Sequence, residues 1–277
     1  MSVDVQISAG ARTDPGLVRS VNEDAVLATY PVYLVADGMG GHDAGDRASA
    51  AVIDAFAGLC GRRDVRPEEV VAAIATAHRN VAQLARRQQR GAGSTLSGVV
   101  AVVQHGAPVW LVCNIGDSRV YRLAGSALEQ LTVDHSVVQE LVDAGGLDRR
   151  AATRHPERHV ITRAVGDAAS DADYWLAPIV TGERLLICSD GLSDELGDEA
   201  VRAGLTMGGS ASQTAHTLVE QARARGGRDN ISAVVVDVRE GVVTPRADEV
   251  TGGFGTSTQG GLHAIDADTL TGGRRHD

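Results

Sequence analysis

Three apolar runs of strand-like length in this chain end on an aspartate: Tyr33-Leu34-Val35-Ala36-Asp37-Gly38, Trp110-Leu111-Val112-Cys113-Asn114-Ile115-Gly116-Asp117 and Leu185-Leu186-Ile187-Cys188-Ser189-Asp190-Gly191. A buried strand carries such a carboxylate to the rim of a sheet. The glycine that follows Asp37 and Asp190 lets the backbone turn sharply and leaves a carbonyl open as a further oxygen ligand. Two more acidic clusters sit at the other kind of strand end, Asn22-Glu23-Asp24 before the run 25–30 and Arg228-Asp229-Asn230 before the run 231–236. If neighbouring strands run antiparallel, beginnings and ends meet on one edge, and five acidic clusters converge there. Like charges that close can all ionise only if cations hold them.

Hard carboxylate and carbonyl oxygens without neighbouring histidine or cysteine ligands select Mg²⁺ or Mn²⁺ over zinc. The chain has no His-Glu-x-x-His pattern and no paired cysteines. Two such ions about 3.5–4 Å apart share a bridging water, lower its pKa and clamp a phosphate for in-line attack. Arg19 stands four residues before Glu23, on the approach to the same rim, and a guanidinium is the natural bidentate holder of phosphate oxygens. Hydrolysis of a phosphoester is the reaction these groups support.

The elements that must position them can be read in outline. Strands are expected near 5–11, 25–30 and 32–36, with Pro31 marking a tight connection between the last two. Helices are expected over about 43–60 and after Pro67, where Val70, Ile74, Val81 and Leu84 recur at helical spacing. The runs 95–103, 108–113 and 119–123 read as a meander, two of its strands apolar enough to be covered on both faces. Residues 135–159 change character, with short helical patches, a Gly145-Gly146 break and a basic run at Arg149-Arg150, and read as a flap beside the cleft. Strands return at 174–179 and 184–188, then a helix over 212–224 and a last strand ending near 238. Strands alternating with pairs of helices favour an antiparallel α+β layered fold. One domain over 1–240 is expected, followed over 241–277 by a Gly/Thr/Asp-rich tail, read as disordered because it has almost no large apolar residues.

With 277 residues and 43% hydrophobic content, the chain can build one large core. Its net charge of −10 argues against nucleic acid and anionic lipid as partners. Cys60, Cys113 and Cys188 read as reduced thiols of a cytoplasmic protein. No signal peptide and no membrane-length apolar stretch is expected. The Gly91–Gly93 segment lacks a following Gly-Lys-Ser/Thr, and lysine is absent from the chain, which excludes a nucleotide P-loop. Gly116-Asp117-Ser118 could mark a serine esterase with Ser118 as nucleophile, but the Asp-x-x-His commonly supplying its base does not occur.

Arg19-Ser20-Val21-Asn22-Glu23-Asp24, Ala36-Asp37-Gly38-Met39-Gly40-Gly41-His42, Gly93-Ser94-Thr95, Ile115-Gly116-Asp117-Ser118-Arg119, Leu131-Thr132-Val133-Asp134-His135-Ser136, Ile161-Thr162-Arg163-Ala164-Val165-Gly166, Cys188-Ser189-Asp190-Gly191 and Asp229-Asn230 occur in this order. They resemble the ordered motifs of the metal-dependent PP2C-type (PPM) serine/threonine phosphatases in their bacterial form. The resemblance spans about 5–238. It implies an αββα sandwich, two antiparallel sheets flanked by helix pairs with the metals in a cleft at one end. By the same resemblance Asp37 bridges two Mn²⁺ or Mg²⁺ ions, the Gly38 carbonyl binds one of them, and Asp190 and Asp229 complete the other. Glu23 acts on the second ion, Asp24 and Asn230 support, Asp117 shares a third, weaker ion with Asp190, and Arg19 binds phosphate. One departure matters: Met39 stands where many eukaryotic relatives carry the histidine that protonates the leaving alkoxide, and the nearest histidine is His42. His42 or a metal-bound water is then the expected acid. Phosphoserine and phosphothreonine proteins are the implied substrates, with a serine/threonine kinase and its targets as partners and a monomer as the working form. The alternative is a catalytically weak regulator that binds phosphoproteins, which would be expected to lack one of Asp37, Asp190 and Asp229.

Overall fold

A computed structural model describes residues 5–40, 44–88, 91–242 and 263–270. The chain opens with β1 (Gln6–Asp14), β2 (Asp24–Thr29) and β3 (Val32–Gly40), the last two joined through a cis Tyr30–Pro31 peptide. Then come α1 (Gly45–Asp54), a 3₁₀ turn (Ala57–Leu59) and α2 (Pro67–Ala85), whose Pro67 makes a rigid first turn and whose Glu69 carboxylate accepts the Arg66 N–H at 3.0 Å. A second group follows: β4 (Ala92–Ser94), β5 (Leu96–Gln104), β6 (Ala107–Ile115), β7 (Arg119–Ala124) and β8 (Ala127–Gln130). The segment read as a flap contains two short helices, α3 (Val137–Asp143), capped by the Ser136 hydroxyl, and α4 (Arg149–Ala152), capped by Asp148. Next are β9 (Asp173–Pro178), β10 (Arg184–Cys188), α5 (Asp190–Thr206), α6 (Ala211–Arg225) and β11 (Ile231–Glu240). β12 (His263–Ile265) and α7 (Ala267–Leu270) lie further on.

Two antiparallel sheets result, ordered β1-β11-β10-β7-β8 and β12-β9-β6-β5-β3-β2, with β4 paired to β3. Three apolar clusters hold four layers together. Val35, Val99, Trp110, Leu185 and Val234 pack between the sheets. Val52, Phe56, Ile74 and Val81 join α1 and α2 to Leu34, Leu96 and Leu111 of the longer sheet. Leu192, Leu205, Leu218 and Ala222 join α5 and α6 to Leu186 and Val235 of the shorter one. This is the expected αββα sandwich, and β5 and β6, covered on both faces, are accordingly almost continuously apolar.

Several elements depart from the sequence reading. α1 ends at Asp54, and the stretch expected to continue as helix tightens into the 3₁₀ turn. β4, β8 and all of α5 are additional. α5 escapes a period-based reading because Gly197, at φ 67°, breaks it into two pieces and splits its apolar stripe. The tail expectation is corrected for 263–270: His263–Ile265 pairs antiparallel with Tyr174–Leu176 of β9, and Leu270 is buried with α2 in the same apolar cluster. A cavity of about 990 Å³ lies between this strap, α2 and β9. The rest of 241–277 beyond Val242 lies outside the described residues. No helix among the described residues is long and apolar enough to cross a membrane.

Candidate metal centre

Antiparallel pairing brings the acidic strand ends together as the spacing required. Asp24 opens β2 and sits directly opposite Asp37 of β3. Asp190 starts α5 at the end of β10, Asp229 precedes β11, and β11 pairs with β10. Asp117 lies in the turn from β6 to β7, where the chain passes from one sheet to the other. The site therefore straddles the sandwich. Arg19, Glu23, Asp37, Gly38, Asp117, Asp190, Asp229 and Asn230 all line one cleft of about 460 Å³. Asp24 lies beneath it, buried.

The backbone around the cleft is fixed by a dense set of hydrogen bonds. Asn230 accepts the Glu23 N–H at 2.8 Å and donates its amide to the carbonyls of Val21 and Pro15 at 2.9 and 3.1 Å, so it ties the Arg19–Glu23 loop to the start of β11. The Gly38 N–H donates to the Glu23 carbonyl at 3.1 Å. A methyl group on Gly38 would lie 2.0 Å from the Gly45 carbonyl oxygen and 2.5 Å from that of Glu23, so only glycine fits between them. Thr95 and Asp37 exchange bonds, Asp37 N–H to Thr95 Oγ1 at 3.0 Å and Thr95 N–H to the Asp37 carbonyl at 2.8 Å. Ser189 holds the N-cap position of α5, yet its hydroxyl donates to Asp24 Oδ2 at 2.9 Å instead of capping the helix.

Burial and mutual repulsion set the electrostatics. Burial pushes the Asp24 carboxyl up to about 7, against hydrogen bonds from Ser232 and Ser189 that favour the charged form. Asp37 is raised well above the usual carboxylate range, by burial first and then by the charges of Asp24, Asp190, Asp117 and Asp229. Asp117 is raised by burial and by Asp190, and Glu23 chiefly by burial. Among the described residues, two buried oxygens, Asp24 Oδ1 and Asp190 Oδ1, have no hydrogen-bond partner. Arg19 does not stand apart as a free phosphate holder. Its guanidinium donates to Asp229 Oδ2 at 2.7 Å, as expected where a carboxylate-rich rim recruits the nearest cation.

Two residues the sequence reading missed belong here. His159, from the end of the flap, lies 3.7 Å from Asp190 and 3.3 Å from Asp194, and Asp190 and then Asp194 raise its pKa above the usual histidine value. The ligand atoms of His159, Asp190 and Asp194 all lie within 4.8 Å of one another. Asp194 lies four residues after Asp190, one turn on along α5, a relation that shows only once α5 is known to be a helix. His159 had no local signal. His42 lies outside the described residues. Other motif residues prove architectural. Asp134 takes a bidentate pair from Arg119 at 2.6–3.0 Å, and His135 accepts the Gly116 N–H at 3.1 Å while its other nitrogen meets Asp173 at 3.1 Å.

Hard oxygens from both sheets, orphaned buried carboxylate oxygens and a guanidinium at the rim fit a divalent-cation phosphate site. Known proteins with this architecture agree. The family model described as protein phosphatase 2C matches residues 18–231. The chain is 38% identical over 243 residues to the serine/threonine protein phosphatase PstP of Mycobacterium tuberculosis, covering 85% of this chain and 46% of that protein, so it spans about half the relative's length. It is 33% identical over 240 residues to the serine/threonine phosphatase stp of Listeria welshimeri, covering 82% of this chain and 94% of that one. Among solved structures, M. tuberculosis PstP/Ppp superposes with a TM-score of 0.78 at 36% identity, covering 84% of this chain and 98% of that one. The PstP catalytic domain in complex with two manganese ions gives 0.74 at 34% identity, covering 85% of this chain and 99% of that one. Motif order, four-layer fold, acidic cleft and sequence identity lead to one assignment: the chain belongs to the protein phosphatase 2C family.

Proposed function

We propose that this chain removes phosphate from phosphoserine and phosphothreonine in proteins with the help of divalent cations, acting as a cytoplasmic monomer that opposes a serine/threonine kinase. The observation that carries this reading is the buried Asp190 Oδ1, without a partner among the described residues, at a cleft lined also by Glu23, Asp37, Asp117 and Asp229. A buried charge left unpaired is costly, and a cation is the partner that suits it. Asp37, the Gly38 carbonyl, Asp190, Asp229 and Glu23 would hold two Mn²⁺ or Mg²⁺ ions. Asp117 and Asp190 would hold a third, with His159 and Asp194 beside it. When bound, the ions polarise the phosphoryl group and activate the attacking water.

The chain's own groups do the rest. Arg19 grips and orients the phosphate oxygens from the rim. Asn230 keeps the Glu23 loop in place, and Asp24, held by Ser189, backs the floor of the cleft. The leaving alkoxide takes its proton from His42 or from a water in the cleft. The test is turnover of a phosphothreonine peptide with Mn²⁺, with Mg²⁺ and with excess chelator, alongside Asp37→Asn. Turnover should need the cation and fall by at least about a hundredfold in the variant. Full turnover in chelator would overturn the reading.

A further inference from the structure

The flap of 135–159 balances four arginines against Glu140, Asp143, Asp148 and Glu157, but its later part, from Arg149 on, is basic in an acidic molecule. The chain as a whole is −10, but Arg149, Arg150, Arg154 and Arg158 fall within ten residues that contain one acid, Glu157. Among the described residues these four guanidiniums make no side-chain hydrogen bond or ion pair, whereas Arg119, Arg122, Arg163 and Arg184 are each held by a carboxylate. Arg149, Arg150 and Arg154 are exposed on α4 and the turn after it. Arg149, Arg154 and Arg158, with Arg119 and Arg228, line a second cleft of about 610 Å³ between the flap and the start of α5, where Asp134 is taken up by Arg119 and Asp194 and Asp198 lie on the α5 side. It is continuous with the metal cleft, because Arg158, Asp194 and Arg228 line both.

Unpaired arginines held next to a phosphate-binding centre keep a cationic surface that self-neutralisation would otherwise remove. We infer that this cleft of the flap, rich in arginine, binds acidic side chains flanking the phosphorylated residue of a protein substrate. The inference rests on the proposed phosphatase function and names its substrate class. A guanidinium suits carboxylate and phosphate equally, by charge and by its planar fork. The contacts are remote from the reacting phosphorus, so they act on recognition: a small aryl phosphate cannot reach them and a protein segment can. A nucleic acid is the poorer match, since no aromatic side chain lines the cleft to stack a base.

The test compares two phosphothreonine peptides, one with glutamates on both sides and one with serines and alanines. In excess chelator, where turnover is blocked, calorimetry should show the acidic peptide binding at least about fivefold more tightly, with the advantage shrinking in high salt. The triple variant Arg149→Glu/Arg150→Glu/Arg154→Glu, all exposed positions, should erase or reverse that preference. With Mn²⁺, its turnover of an aryl phosphate should stay within about twofold of the parent, and the acidic peptide should lose its advantage through KM. Equal binding of the two peptides, a preference that survives the triple substitution, or tighter binding of a single-stranded oligonucleotide would overturn the inference. Failure of the phosphatase reading appears separately, as absence of turnover of every substrate with Mn²⁺.

Discussion

At Asp24 burial fixes the sign of a pH effect. Its carboxyl is held up to about 7 against an ordinary 3.8, so the folded, metal-free protein keeps a proton there over a range in which the unfolded chain has released it. That stabilisation is complete below about 3.8 and is lost as the pH rises towards 7, and the raised Asp37 and Asp117 act in the same direction. The metal-free melting temperature should therefore fall by several degrees between about pH 5 and pH 8, and Asp24→Asn should flatten the slope. A rise over that window would contradict the arrangement. Arg19 calls for a different measurement, because it is ion-paired with Asp229 and so competes with a cation for that carboxylate. Arg19→Ala should lower kcat/KM by roughly ten- to two-hundredfold, the loss of one charge-assisted contact of about 1.5–3 kcal/mol. Its Mn²⁺ affinity should be equal or tighter, because a competing positive charge is gone. Weaker Mn²⁺ binding by titration calorimetry would show that Arg19 organises the ligands instead. Arg19→Lys should recover only part of the rate, since it lacks the fork.

Elements place these residues to within fractions of an ångström, and Gly38 shows the tolerance. With the Gly45 and Glu23 carbonyl oxygens 2.0 and 2.5 Å from where a Cβ would sit, Gly38→Ala must push β3 away from the first turn of α1. A loss of about 1–3 kcal/mol is expected, seen as an earlier denaturation midpoint, together with weakened Mn²⁺ binding. Asp117 and Asp190 were legible because each apolar run stops just short of its acid, whereas at Asp37 only the apolar run stops and β3 itself continues to Gly40, where β4 pairs with it in place of the expected turn at Gly38. α5 was not legible, since its apolar stripe breaks at Gly197 and its cap residue spends its hydroxyl on Asp24. His159 was not legible either, because only the folded flap carries it to Asp190. β12 is three residues in polar surroundings, paired by distant β9, and nothing local announces it. Truncation after Val242 removes it along with buried Leu270, where the composition of the tail predicts no effect. At about 1.5–3 kcal/mol per buried large side chain, the melting temperature should drop by roughly 3–10 °C, while aryl phosphate turnover stays unchanged because no strap residue lines the metal cleft. An unchanged melting temperature would show that the strap contributes nothing.

For the molecule as a whole, the cleft is the seam between the sheets. Asp24 and Asp37 belong to the seven-stranded sheet, while Asp190 and Asp229 flank strands of the five-stranded one. Cations bound there should staple the sandwich. The melting temperature should climb with the logarithm of Mn²⁺ concentration, as for any ligand that binds only the folded state, and amide exchange should slow in both sheets together. Asp37→Asn should abolish most of the climb. Protection confined to one sheet would show that the ions do not span the seam. At the far end of the longer sheet, the three residues of β12 lie along β9 and leave an outer edge too short to template another chain. Cut back to Val242, the protein would present β9 as a bare row of amide and carbonyl groups. Its colloidal behaviour should then change before its catalysis does, with concentrated samples of the shortened chain scattering light and growing intermolecular strands while the uncut 277-residue chain stays clear.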